Sequence, residues 1–391
     1  MLNGLYGSDE PYSSDHGRSA LVEPPARTPQ SPRPAAARSR PSVPLLAPRI
    51  AGLALSNSDT RYTQQQALER LGLADDEFAR RIFARSGVRR RFLNLEPDFL
   101  ARSLQSRASQ VERELMDRAT AAIDALHVDP AQIGTVVSAS LYSLGVPTLA
   151  QRLLDHYEMD PTTDKYHVTG VGCASGVPLM RLAAQTLQAS SPEGERPGKH
   201  TLLVAAESMS SILTRARPDD PKAKTVGSAI FGDGCAAALL THDPRAQGPA
   251  ILGSQVHQIG STLGAVCLDL EREDSYLHLA RELPDLAGAG LPGVVGGFLA
   301  RHQLRHEDID HWIVHPGGRR IIENVRDALE LRDEDLATSW RALADHGNIG
   351  TPSILYVLQD TIESCRPQPG ERGLMVTIGP GVTVGTMLLG W

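Results

Sequence analysis

The sequence predicts a duplicated α/β fold: two βαβαβ halves stacked into a five-layer α/β/α/β/α core. Three observations predict it. Beyond residue 48, strand-like apolar runs alternate with segments of helical period. Each half contains an apolar run that ends in a turn and passes at once into a helix: YHVTGVG into CASGVPLMRLAAQTL, and HWIVHPGG into RRIIENVRDAL. The closing GLMVTIGPGVTVGTMLLGW also repeats the layout of GSAIFGDGCAAALL, two apolar strands with a Gly-rich turn between them, as a duplication requires.

Taken in order, residues 1–48 hold nine of the 27 prolines and no hydrophobic period, which predicts a disordered extension. Residues 49–245 form the first half. RIAGLALSNS is a buried first strand, and TQQQALERLGLADDEFARRIFARSG reads as two short helices. Residues 102–127 have helical period, IGTVVSASLY is a β-rich run and RLLDHYEM a short helix. A strand then stops at Gly172, and an amphipathic helix begins at Cys173. HTLLVAAES is another buried strand, a long loop leads to GSAIFGDG, and CAAALL is a strand. The Pro/Gly-rich THDPRAQGPA marks the boundary with the second half, residues 246–391.

Composition excludes several classes. A formal charge of −7 and 22% charged residues suit an ordinary globular enzyme and argue against nucleic-acid binding, which needs a basic face. The four cysteines are scattered without a C-x-x-C pair, so neither a disulfide framework nor a structural zinc site is expected. No run of about 18 apolar residues exists to span a membrane, and the N-terminus lacks a signal-peptide pattern. A cytoplasmic protein is expected.

Three residues carry candidate chemistry. Cys173, placed in the first turn of a helix, would meet unpaired N–H groups and a partial positive charge that favour its thiolate, the nucleophilic form. A buried structural cysteine is the competing reading. His315 ends an apolar strand, at the carboxyl edge where α/β sheets collect ligands. Asn348 lies in DHGNIGTPSILYVL, where it can be a turn residue or donate to a developing oxyanion. The set suits acyl transfer from a thioester, although a cysteine hydrolase uses Cys and His as well.

SGVRRRF, VGCASG, AIFGDGCAAALL, WIVHPGG, HGNIGTPSILYVL and IGPGVT together make the chain resemble the type III polyketide synthases, the chalcone and stilbene synthase family, from about Arg49 to Trp391. The resemblance implies a thiolase-like fold and a homodimer using acyl-CoA and malonyl-CoA. It implies no further cofactor and no metal. By resemblance Cys173, His315 and Asn348 are catalytic, Phe231 is an aromatic gate, and Arg81 and Arg85 contact CoA phosphates. Phe78 stands at a third, usually basic position. Leu277 replaces a second aromatic gate, and Leu141, Ile212 and Gly350 stand where plant chalcone synthases have hydroxyls. Val146 replaces a methionine that reaches the partner's cavity. Such an apolar pocket favours aliphatic or small acyl starters. A single-condensation ketoacyl synthase III-like enzyme or acyltransferase, working with a carrier protein, is the alternative.

Overall fold

The computed structural model describes residues 47–391 except 59, 144, 171, 191–193, 195–197, 218–219, 221, 261, 269–276 and 280–282. All but the last two residues of the expected N-terminal extension therefore lie outside the described residues.

The first half opens with β1 (Arg49–Ser56), followed by a small ribbon of β2 (Arg61–Thr63) and β3 (Arg90–Phe92). Two short helices, α1 (Gln64–Arg70) and α2 (Glu77–Arg85), lie between the ribbon strands. Thr63 and Gln66 form a reciprocal capping box on α1, and Asp76 caps α2, so the start of each is encoded locally. Then come α3 (Pro97–Ala101), α4 (Leu104–Asp124), β4 (Ile133–Ala139), α5 (Leu149–His156) and β5 (Asp164–Val168). The half ends with α6 (Gly176–Thr186), β6 (His200–Glu207), α7 (Lys222–Ile230) and β7 (Gly234–Thr241).

The second half starts at β8 (Ala250–Gln258) and includes the ribbon β9 (Val266–Leu268) and β10 (Leu277–Leu279). It continues through α8 (Leu283–Arg301), β11 (His311–Val314), α9 (Arg319–Ala328) and α10 (Ala337–His346). It closes with α11 (Ser353–Asp360), β12 (Arg372–Gly379) and β13 (Thr383–Gly390).

The duplication is visible in strand order. The long sheet runs β11-β12-β13-β8-β1-β7-β6-β4-β5. Outward from the centre, β1-β7-β6-β4 is matched by β8-β13-β12-β11, each with two antiparallel pairings and then a parallel one. The halves meet through β1 and β8, which pair at Arg49 and Ala250.

Helices α6 and α11 fill the middle layer. α6 packs against β4 and β6 of one half and β8, β12 and β13 of the other, and α11 packs on α6, β1 and β11. One apolar cluster accordingly joins Val177, Met180, Ile354 and Leu358 to Leu203 and Met375 of the two halves. α4 and α5 cover the outside of the first half, while α8, α9 and α10 do so for the second. These are the five expected layers. Such strands read as continuous apolar runs because both faces are covered; β12 is buried along its whole length. No described helix is long and apolar enough to cross a membrane.

Two local expectations are corrected. GSAIF is not a strand before the Gly-rich turn but the end of a helix: α7 runs to Ile230, and Arg91 holds the end of α7 by donating to Ser228 O (2.5 Å) and Phe231 O (2.7 Å). Nor does a helix begin at Cys173. That residue sits in a separate 3₁₀ turn, Gly172–Ala174, with α6 starting at Gly176.

Candidate active site

Cys173 is positioned by the end of β12. A Cβ on Gly379 would lie 2.2 Å from Ala174 N, so only glycine lets the strand approach this turn so closely. Thr377 Oγ1 donates to Ala174 O (2.9 Å) and fixes the same turn.

Asn348, in the turn after α10, also reaches Cys173. Asn348 Nδ2 donates to Cys173 Sγ (3.5 Å) and to Gly317 O (3.1 Å). Its Oδ1 accepts from Gly350 N (2.8 Å), and lies 3.7 Å from the thiol. The amide orientation is therefore fixed by its neighbours. The backbone of Asn348 is clamped as well: its N–H donates to Ile230 O (2.7 Å), and its C=O accepts from Gly232 N (3.0 Å). This bridge brings Phe231, 1% exposed, beside Asn348.

His315 lies just beyond β11 and is 1% exposed. Neither ring nitrogen has a hydrogen-bond partner among the described residues. The ring lies against Gly317, whose carbonyl binds Asn348; a Cβ on Gly317 would lie 3.4 Å from His315 Nε2. Three chain segments remote in sequence thus converge, with Asn348 making the direct contact to sulfur.

Burial controls the charges. It pulls His315 down to about 3, so the imidazole is neutral. Cys173 keeps partial exposure as a residue, but the protein packed round its sulfur pushes the thiol up to about 11; the Asn348 hydrogen bond opposes that rise and the Glu207 carboxylate adds to it. The sequence expectation of a thiolate favoured by a helix N-terminus is thus reversed. Cys173 is separated from the first turn of α6, and desolvation outweighs what dipole remains.

Glu207, at the end of β6, is a residue the sequence reading missed. It is fully buried and accepts hydrogen bonds from Thr351 Oγ1 (2.6 Å), Ser140 Oγ (3.3 Å) and Leu141 N (2.9 and 3.0 Å to its two oxygens). Burial nevertheless raises its carboxyl to about 7. A single acid closing the apolar run HTLLVAAE was the available signal.

The other predicted residues divide into groups. Leu141 and Gly350 border Glu207, and Ile212 joins Phe231 in one apolar cluster. Leu277 pairs with Leu268 in the β9–β10 ribbon, and its side chain lies outside what the structure describes. Arg81 and Arg85 are exposed on α2. Arg81 lies over the Phe78 ring at 5.9 Å and Lys222 of α7 at 5.4 Å, so a third cation reaches this face from another helix.

Comparison with known proteins decides the family. Residues 54–261 match the family model described as FAE1/Type III polyketide synthase-like protein, and residues 253–390 match the C-terminal domain of chalcone and stilbene synthases. The chain belongs to the type III polyketide synthase family. Among its relatives in this family, 1,3,6,8-tetrahydroxynaphthalene synthase of Streptomyces peucetius subsp. caesius is 34% identical over 81% of this chain and 85% of its own. The 3,5-dihydroxyphenylacetyl-CoA synthase of Streptomyces toyocaensis is 29% identical over 90% and 92%. The crystal structure of PKS-I from the brown alga Ectocarpus siliculosus superposes with TM-score 0.80 at 26% identity, covering 90% of this chain and 100% of that one. The fold is accordingly the thiolase-like fold of type III polyketide synthases.

Proposed function

We propose that this type III polyketide synthase loads an acyl-CoA starter on Cys173, extends it with malonyl-CoA by decarboxylative condensation, and cyclises the product. The observation that carries the assignment of the site is the Asn348 amide on Cys173 Sγ, with the unpartnered His315 ring against the adjoining backbone.

A proton passing from Cys173 to His315 creates two opposite charges together, which is less costly in a dry site than either alone. The sulfur then attacks the starter carbonyl, and CoA leaves with a proton. When malonyl-CoA binds, His315 and Asn348 offer N–H donors to its thioester oxygen. Carbon dioxide departs, the enolate carbon bonds to the acyl carbon, and the Cys173 thioester breaks to free the sulfur. Phe231 excludes water from this step. Arg81, Arg85 and Lys222 meet the CoA phosphates.

The two Streptomyces relatives are named for polyhydroxylated aromatic products. A cyclised polyketide of pyrone, resorcinol or phloroglucinol type fits the present site. Apolar Leu141 and Ile212, with Gly350, favour an aliphatic or small acyl starter. Val146, 90% exposed on the loop after β4, supports a homodimer with this loop at its interface; sedimentation as a monomer would overturn that. For the activity, the test is incubation of purified protein with an acyl-CoA panel and labelled malonyl-CoA. Extended product is expected from the parent and none from Cys173→Ala. Product from Cys173→Ala would remove the nucleophile, and no product from the parent on any starter would remove the reading.

A further inference from the structure

Between Leu141 and Ser143 stands Tyr142, which neither the sequence motifs nor the mechanism above employ. Its ring packs against the apolar cluster that contains Phe231 and Ile212. Its Oη is buried and has no hydrogen-bond partner among the described residues. Buried hydroxyls ordinarily find one, and an unmatched hydroxyl costs free energy unless something else binds it.

The residue is held in place from both sides. The Leu141 N–H is fixed on the Glu207 carboxylate at 2.9 and 3.0 Å. Ser143 Oγ donates to both oxygens of Glu112 at 3.0 Å, and Gly145 N donates to Glu112 Oε1 at 2.9 Å. Both carboxylates grip the loop, and neither takes the Tyr142 hydroxyl. Burial raises the phenol pKa far above its ordinary value, and Glu207 and Cys173 lie near enough to add to that rise when they ionise, so it keeps its proton at any physiological pH. It is therefore a fixed donor near the nucleophile. Neither Leu141, its chain neighbour, nor Ile212, in the cluster it packs on, offers a side-chain hydroxyl.

We infer that Tyr142 is a specificity-determining residue, whose hydroxyl donates to a keto oxygen of the growing β-ketoacyl chain. The inference rests on the polyketide synthase reading and deepens it. A saturated starter has no oxygen beyond its thioester carbonyl to offer this donor, whereas each condensation adds a ketone. Tyr142 would thus act on extension and folding of the chain, and not on loading.

Tyr142→Phe removes the hydroxyl and keeps the ring. Two assays read it: mass spectrometry of Cys173 after incubation with a saturated acyl-CoA, and product distribution with malonyl-CoA added. Loading should be unchanged, while the ratio of fully extended to early-released product falls about 3- to 10-fold, as expected for one lost hydrogen bond. The melting temperature should hold or rise, because the variant buries no unmatched hydroxyl. An unchanged product ratio would overturn the inference, and so would a marked drop in melting temperature, which would give the hydroxyl a structural partner. If parent protein loads no starter and makes no product, the polyketide reading itself fails, whatever the variant does.

Discussion

Glutamine at position 207 should change how the stability of this protein depends on pH. Burial keeps the Glu207 carboxyl protonated up to about 7, against 4.5 for an ordinary glutamate. Between those values the folded chain holds a proton that the unfolded chain has released, so parent stability falls as pH rises from 4.5 to 7. Below the window both states are protonated, and above it both are ionised. Each pH unit corresponds to about 1.4 kcal/mol, which over the window accumulates to about 3 kcal/mol. Glu207→Gln has no proton to lose. Variant stability minus parent stability should therefore climb by about 3 kcal/mol between pH 4.5 and 7, then level off. The constant offset from altered hydrogen bonds to Thr351, Ser140 and Leu141 does not affect the slope. His315 contributes in the opposite sense, because its lowered pKa makes stability rise with pH up to about 6.5, but it does so in both proteins. Urea unfolding at half-unit intervals from pH 4 to 8.5 measures the difference directly. A flat or falling difference curve would refute the buried, proton-holding Glu207.

Asn348→Ala removes the amide that touches both Cys173 Sγ and Gly317 O; carbon dioxide release from malonyl-CoA should fall about 10²- to 10³-fold. Acyl loading of Cys173, read by mass, should persist in that variant. Gly232→Ala would put a Cβ 2.3 Å from His346 O, so chemical denaturation should show a loss of about 2–3 kcal/mol. The double variant Arg81→Glu, Arg85→Glu should raise KM for acyl-CoA at low salt with little change in kcat. Added salt should shrink the difference, because both residues are solvent-exposed on α2.

Cys173, His315 and Asn348 stood out because each lies in a short motif whose glycines mark a turn; the structure brings the three turns together, although that of Asn348 follows helix α10 where a strand was expected. The duplicated plan was legible for a related reason: apolar runs buried on both faces declare themselves without long-range information. What the sequence could not show depends on partners distant in the chain. The end of α7 reads as an apolar strand before a Gly-rich turn, yet Arg91, well over a hundred residues earlier, satisfies carbonyls there as the end of a helix. Strand β8 follows a polar linker and is half exposed along much of its length, so it lacks the continuous apolar run that marks β12. The charge state of Cys173 was misread because local helix geometry predicts ionisation, whereas desolvation is a property of the assembled site. Tyr142 escaped notice for the same reason, whereas Glu207 left a signal as the single acid closing an apolar strand.

These buried groups bear on one another. Cys173, His315 and Glu207 are all moved by burial toward their neutral forms, so the resting site carries little charge below about pH 7. Creating a thiolate there opposes desolvation and, once Glu207 ionises, a neighbouring negative charge as well. The acid thus restrains the nucleophile increasingly as pH rises through about 7, against the usual gain of thiolate with pH. Glu207→Gln lifts that restraint. Its Cys173 should react several-fold faster with iodoacetamide at pH 8.5 than the parent's, with the two rates converging toward pH 6, where the parent carboxyl is protonated. Cys365, exposed and far along the chain, serves as an internal reference whose rate should be the same in both proteins. Slower alkylation of Cys173 in the variant at pH 8.5 would mean that Glu207 assists the thiolate through its hydrogen bonds to the Thr351 turn, and the repulsive coupling argued from burial would have to be abandoned.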